Sequence, residues 1–261
     1  MATSSITKNF IISGQKQVEM FADAIEASAN DRTPRVPINV TYLQGADDIL
    51  KFMERRKKAN ATANNFIVLN IREYLENEDK RLGEDTLVQL LSEFSCPLNP
   101  DVERFLKQQA IEFAKKHQAV TYIVLSLEDA ELLGYFSITI KPLVVKAEPF
   151  SNTVKRKLAR FSEIDKNEQT YNLAAYLIAQ LGKNFSDKAK GRITGQELLE
   201  AAIRQTQLLQ YQAGGMVAFV EADNKEKLLS FYENYGFKRF DTRQTASSEE
   251  QHELVQLLRL I

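Results

Sequence analysis

Residues 171–182, YNLAAYLIAQLG, are apolar almost throughout. A strand with one wet face alternates polar and apolar residues. A strand without alternation is covered on both faces. A basic loop, KNFSDKAKGRITG, comes next, then a long amphipathic helix, QELLEAAIRQTQLLQYQAG, and a second buried strand, GMVAFVEAD. Buried strand, glycine-containing loop, long helix and buried strand together demand a sheet with helices packed around it.

The elements flanking this unit fit the same plan. From Asn65 onward the pattern reads β-α-α-β-β-(α)-β-loop-α-β-α-β-β, an α/β (α+β mixed sheet) domain spanning 65–261. NFIVLNIREY predicts a strand. GEDTLVQLLSEF predicts a helix with Leu87, Leu90, Leu91 and Phe94 inward. NPDVERFLKQQAIEFAKKH predicts one helix, with Asn99 as its cap and Pro100 in its first turn. VTYIVLSL and LLGYFSITIKPLVV predict a hairpin, and SNTVKRKLARF a basic helical stretch. FYENYGFKRF, 231–240, predicts a helix end closed by Gly236 in a left-handed cap, followed by a strand.

The first 58 residues stand apart in composition. SITKNFII, 5–12, predicts a strand. QKQVEMFADAIEAS predicts a helix with Val18, Phe21, Ala22 and Ile25 on one face. NDRTPRVP breaks it, and a second helix is expected from about Asp47 to Lys57. The polar string around 59–64 has no periodicity and reads as a linker. A unit of 1–58 is small for independent stability, so a partner or a homodimer is expected.

Several function classes are excluded by what the chain lacks. Its 261 residues carry a formal net charge of −1, so no global field draws it to nucleic acid or membrane. One cysteine, Cys96, allows no internal disulfide and no multi-thiolate metal site. Two histidines, His117 and His252, lie far apart, so neither a metal centre nor a Ser-His-Asp triad is expected. MATSSITKNF has no signal-type apolar run, and no stretch approaches the ~18–20 apolar residues of a membrane helix. The expected location is cytoplasmic.

The loop before the long helix is the chemical candidate. A helix N-terminus presents unpaired amides and partial positive charge, which suit phosphate. Lys188, Lys190 and Arg192 precede it, with Gly191 and Gly195 allowing close backbone approach. The loop is neither a P-loop nor GxGxxG, and an ordinary solvated strand-helix connection is the competing reading. The order of elements, ending in FYENYGF, resembles the GNAT superfamily of acyl-CoA N-acyltransferases over roughly 65–245. That resemblance implies acetyl-CoA as co-substrate. Its pyrophosphate would rest on KGRITG, which matches the family pattern Arg/Gln-x-x-Gly-x-Gly/Ala with Lys190 first, Ile193 where glycine is usual, and Gly195 last. Lys190, Gly191, Arg192, Thr194 and Gly195 are then cofactor-binding. The family's fourth and fifth strands splay to admit the pantetheine arm, here YNLAAYLIAQLG and MVAFVEAD. Leu181–Asn184, with Leu181 and Lys183, would line it. Asn224, one position from the family's asparagine, which is Lys225 here, is counted by that resemblance with the cofactor-binding residues.

By the same resemblance Tyr232 is the catalytic residue, protonating the leaving thiolate after direct attack by a primary amine. Glu221 and Asp223 are possible relays to a base, against a plainer reading as strand-end carboxylates. Residues 92–140 resemble GNAT toxins of toxin–antitoxin systems through Phe94, Cys96, Leu98, Phe105, Leu106, Thr121, Tyr122, Gly134, Tyr135 and Phe136. This implies an aminoacyl-tRNA amino group as acceptor, with Lys155, Arg156, Lys157 and Arg160 available to phosphates. The strand-helix-helix order of 1–58 resembles a ribbon-helix-helix antitoxin, which implies DNA as a partner; a small docking module is the alternative. A small metabolite or protein amine remains a competing acceptor. The other functional class is a non-catalytic or regulatory protein that keeps the fold.

Overall fold

The computed structural model describes residues 4–7, 9–32, 40–43, 45, 47–49, 51, 66–76, 82–146, 152–160, 162–246 and 251–261. Its elements in chain order are α1 (Ser4–Thr7), β1 (Phe10–Ile12), α2 (Gln15–Ala29), β2 (Val40–Leu43), β3 (Phe66–Asn70), α3 (Arg72–Leu75), α4 (Glu84–Ser92), α5 (Pro100–Gln108) and α6 (Ala110–Lys115). There follow β4 (Val120–Ser126), β5 (Leu132–Lys146), α7 (Asn152–Leu158), β6 (Ile164–Asp165), β7 (Thr170–Lys183), α8 (Gly195–Ala213), β8 (Val217–Asp223), α9 (Glu226–Glu233), β9 (Lys238–Ala246) and β10 (Gln251–Leu260).

Among the described residues one mixed sheet runs β2-β3-β4-β5-β7-β8-β10-β9, with β1 added beside β5 and β6 beside β7. β7 and β8 are parallel, as a strand-helix-strand connection through α8 requires. The pairs β3–β4, β4–β5, β5–β7, β8–β10 and β9–β10 are antiparallel. Helices cover both faces. Val18, Phe21, Leu87, Leu91, Val102, Phe105, Ala110 and Ala114 bring α2, α4, α5 and α6 onto one apolar cluster. Leu198, Ala201, Ala202, Ile203, Leu229 and Tyr232 bring α8 and α9 onto the other. The mixed α/β class is therefore as the sequence pattern predicts, and the apolar character of β7 follows from burial on both sides.

Local signals are followed closely in places. Asn99 caps α5 by accepting from the Val102 amide, and Pro100 opens the helix. Gly236 has φ 77°, the left-handed turn expected at the end of α9. Elsewhere the structure differs. The strand expected over 5–12 is a helical turn, Ser4–Thr7, and a three-residue strand, Phe10–Ile12. The single helix expected over 99–117 is two, because Gln109 leaves helical dihedrals at φ −125°. No Gly or Pro marks that break, so the periodicity runs straight through it. Strand β2 is not foreseen by the sequence pattern. Of the helix expected over 47–57, residues 47–49 are helical and Ile49 is buried, while 52–65, including the linker expected at 59–64, lies outside the described residues.

The N-terminal residues share the main core. β1 pairs in parallel with Leu143–Val145 of β5. Phe10 meets Phe219 edge to face at 5.0 Å, and Phe21 meets Phe240 at 5.3 Å. Polar contacts fix the same docking: Gln17 Nε2 donates to Asp241 Oδ1 at 2.8 Å, and the Leu260 amide donates to Ser28 Oγ at 2.9 Å. A ribbon-helix-helix dimer needs its strand free to pair across two chains. Here β1 is already hydrogen-bonded to β5, and α2 lies against β9 and β10. The expected module of 1–58 thus supplies, in its described residues, two strands, β1 beside β5 and β2 beside β3, and the helix α2 to the 65–261 sheet. Phe21→Ala should cost about 3–5 kcal/mol and shift one global unfolding transition, read by circular dichroism in denaturant. An unmoved main transition would restore a separately folded N-terminal unit.

Candidate functional site

The site is set by where two strands part. β7 and β8 pair only through Ala175–Val217, Tyr176–Ala218 and Leu177–Phe219. β7 continues to Lys183 and β8 to Asp223 without further mutual pairing. Their outer edges stay held, β7 by β5 as far as Lys183 and β8 by β10 as far as Asp223. Among the described residues neither inner edge has a strand partner beyond these pairs, which leaves a gap between the two strands. A β-bulge coincides with the parting: Ser137 pairs with Gln180 and Ile138 with Ile178, leaving Ala179 as the extra residue. Bulges sharpen local twist and re-aim a strand, which accounts for the divergence.

The loop from β7 to α8 stands at this opening. Its apolar residues anchor it: Ala189 and Ile193 are each 1% exposed. Ile193, at the position where the resembled family usually has glycine, plugs the core beneath the loop. Lys188 and Lys190 are exposed to solvent, and Gly191 takes φ 81°. Gly195 begins α8 beside the Phe231 ring; a β-carbon at this position would lie 3.6 Å from that ring. Thr194 and Glu197 form a reciprocal capping box. Glu197 Oε2 accepts from the Thr194 amide at 2.8 Å, and Thr194 Oγ1 accepts from the Glu197 amide at 3.1 Å.

Arg192 is not a free phosphate ligand in this arrangement. Its guanidinium grips Asp129 in a fork, Nη1 to Oδ2 at 2.8 Å and Nη2 to Oδ1 at 2.9 Å, and Nη2 also donates to Ser126 Oγ. Glu128 stands 3.7 Å away. The turn between β4 and β5 thus clasps the loop. A planar fork matches a carboxylate as well as it matches a phosphate, so a nearby aspartate captures it.

The other expected residues divide similarly. Leu181 packs part-buried against the α8–α9 cluster. Lys183 lays its ammonium 4.9 Å from the Phe185 ring centre. Asn184, wholly buried, is a structural clasp: Nδ2 donates to the Leu132 carbonyl, and Oδ1 accepts from the Ser95 and Ser186 amides. Asn224 is exposed and turned to β10, donating to Glu253 Oε2 at 2.5 Å. Lys190, Gly191, Thr194 and Gly195 lie together in the turn that leads into α8, with the Thr194 amide held by Glu197; Arg192 and Asn224 are engaged elsewhere.

Tyr232 is 2% exposed, wedged edge to face between Phe231 at 5.1 Å and Phe237 at 5.8 Å. Burial, with the Asp223 charge adding to it, pushes its hydroxyl well above the ordinary tyrosine value. It stays neutral and able to donate a proton. Phe231 lies against Gly195, and Tyr232 shares one apolar cluster with Ala189 and Ile193 of the loop. Tyr235, Phe237 and Phe240 are core.

Glu221 is no free base. Arg243 holds it in a second fork, Nε to Oε1 at 2.9 Å and Nη2 to Oε2 at 2.6 Å, and Gln256 Nε2 donates to Oε1 at 2.7 Å. Asp223 lies 3.5 Å from the Lys225 ammonium. Cys96 is buried, and burial raises its thiol, the opposite of an activated nucleophile. Among the described residues no cluster of His, Cys, Asp or Glu could hold a metal, and no helix is long and apolar enough to cross a membrane.

Sequence reasoning missed three features here. The Thr194-x-x-Glu197 spacing is a legible capping signal. The Asp129–Arg192 clasp spans 63 residues and the Glu221–Arg243 fork joins separate strands, so neither leaves a local pattern.

No family model matches the chain, and no curated protein matches it. Among solved structures, a bacterial toxin overlaps 75% of this chain and 91% of its own, at 16% identity and a TM-score of 0.47. AtaT complexed with acetyl-methionyl-tRNAfMet overlaps 73% of this chain and 93% of its own, at 18% identity and a TM-score of 0.45. The KacTA–DNA complex overlaps 75% and 92%, at 17% identity and a TM-score of 0.41. Likenesses at TM-scores below 0.5 do not assign an activity.

The clasp has a pH signature. The Arg192 hydrogen bonds hold Asp129 down at about 2. A carboxyl depressed in the folded state contributes stability above its unfolded value, about 3.9, and loses it as pH falls through the folded value. Carboxyl NMR should show Asp129 titrating near 2, and Arg192→Leu should return it toward about 3.9. An unmoved midpoint would remove Arg192 as the cause.

Proposed function

We propose that this chain is an acetyl-CoA-dependent N-acetyltransferase acting on a primary amine, the amino group of an aminoacyl-tRNA being the acceptor we favour. The observation that carries the reading is the parting of β7 and β8 after Leu177 and Phe219. Two unpaired strand edges facing each other offer donors and acceptors to an extended, amide-bearing arm such as pantetheine. The gap leads toward a basic loop at a helix N-terminus, where a pyrophosphate is favoured.

In this reading the amides at the start of α8, with Lys188 and Lys190, receive the coenzyme's phosphates. A phosphate would have to replace Glu197 at the Thr194 amide. The amine attacks the thioester carbonyl directly, which agrees with the lack of an activated cysteine. Tyr232 donates to the leaving sulfur. Its raised affinity for the proton keeps it in the donor form throughout the physiological range. The exposed Arg156 and Arg160, with the half-buried Lys155 beside them, are candidates for tRNA phosphates.

One observation favours a second reading, a regulatory protein that keeps the fold without catalysis. Arg192 and the Thr194 amide already have internal partners. Calorimetry with acetyl-CoA separates the two: heat of binding supports the transferase, and no binding at near-millimolar coenzyme supports the regulator.

Incubation with labelled acetyl-CoA and separate pools of charged tRNA, protein and small amines should place label on the charged tRNA. Label confined to another pool would reassign the acceptor, and no label in any pool would overturn the activity. Tyr232→Phe should lower kcat by about 10²–10⁴-fold with coenzyme binding kept. A fully active variant would remove Tyr232 from the mechanism. The wild-type rate should show no tyrosine-dependent fall near the ordinary value of about 10, because the folded hydroxyl titrates higher.

A further inference from the structure

A polar row crosses the sheet on the face packed by α2 and α5. Thr121, Ser137 and Gln180 are register neighbours on β4, β5 and β7, and each is wholly buried. Beyond the gap, Glu221, Gln256 and Asp241 are register neighbours on β8, β10 and β9. Strand alternation puts both halves on one face: Tyr135 and Phe219, two residues before Ser137 and Glu221, belong to the same apolar cluster. Thr121 and Ser137 satisfy each other through a 2.8 Å hydrogen bond. Glu221 accepts from both Arg243 and Gln256. Gln180 stands between these two sets with neither. Among the described residues, its Nε2 and Oε1 both lack a hydrogen-bond partner. It lies three residues past the last β7–β8 pair, next to the bulge at Ala179.

A buried carboxamide with both ends unmatched costs stability, and an apolar residue of its size would not. Its shape states what would match it. In a carboxamide, O and N are substituents of one carbon. In the adduct of an amine and a thioester, the oxyanion and the attacking nitrogen are also substituents of one carbon. We infer that Gln180 is a catalytic residue that pairs with this adduct at both ends, Nε2 donating to the oxyanion and Oε1 accepting from the attacking nitrogen. This rests on the acyl-transfer reading above and adds a group to it.

The step balances as follows. The amine lone pair forms the C–N bond while the carbonyl π pair moves onto oxygen, where Nε2–H stabilises it. The nitrogen, now positive, holds its extra proton against Oε1. When the oxygen pair returns, the C–S bond breaks and sulfur leaves with its electrons. The nitrogen's proton passes to water and sulfur takes one from its donor, giving amide and thiol. Donors aimed at developing oxyanions act most strongly in sites that exclude water, and Gln180 is in such a place.

Gln180→Met keeps the volume and removes both polar ends. Three readouts decide the outcome: kcat for acetyl transfer, Kd for acetyl-CoA by calorimetry, and the thermal midpoint. We expect kcat about 10²-fold lower, Kd unchanged, and a midpoint equal to or above that of the wild type. Unchanged kcat in Gln180→Met would overturn the inference, as would a loss of activity that merely follows a lowered midpoint. A wild type that binds acetyl-CoA yet acetylates no amine would overturn the transferase reading itself, and this inference with it.

Discussion

Three residue pairs hold β7 to β8, and the candidate site lies where that pairing ends. A parallel pair joined by a helix would ordinarily zip along its whole length, because each added pair satisfies backbone groups at little entropic cost. Here the bulge at Ala179 turns β7 away while β5 and β10 keep the outer edges fixed. Among the described residues no strand pairs with the inner edges of 178–183 and 220–223. Unpaired backbone inside a fold is costly, and a ligand seated in the gap would supply partners to it.

The loop and the last helix are arranged around that gap by packing. Ile193 and Ala189 pin the loop from below, Asp129 holds Arg192 from the side, and Phe231 leans on Gly195. The consequence is a helix N-terminus whose internal carboxylate, Glu197, occupies the place an anion would take. Tyr232, on α9, shares the apolar cluster beneath the loop, and burial raises its hydroxyl further above the physiological range. These contacts join segments far apart in the chain, and they set which polar groups are already satisfied and which are open to a ligand.

Much of this is legible in the residues. The unalternating apolar run at 171–182, the amphipathic stripe of α8 and the Asn99-Pro100 start of α5 each encode their element locally. Gly236 marks the turn before β9. What misleads is also local. SITKNFII has the β-branched residues of a strand, yet Ser4–Thr7 is helical and only Phe10–Ile12 extends along β5. Arg192 reads as a phosphate ligand because its partner, Asp129, lies 63 residues away. Glu221 reads as a possible relay because nothing near it in sequence announces Arg243.

The sequence by itself determined the alternation of strands and helices, the burial of the central strands and the position of a basic, glycine-containing loop before the long helix. Periodicity and turn chemistry act over a few residues, so a linear reading captures them. Only the tertiary structure decided that β1 and α2 complete the main core, that β7 leaves β8 after Leu177, and that Arg192, Glu197 and Glu221 are internally paired. It alone left Gln180 unmatched beside the gap. Those outcomes depend on pairings across the sheet, where distance along the chain has no bearing on distance in space.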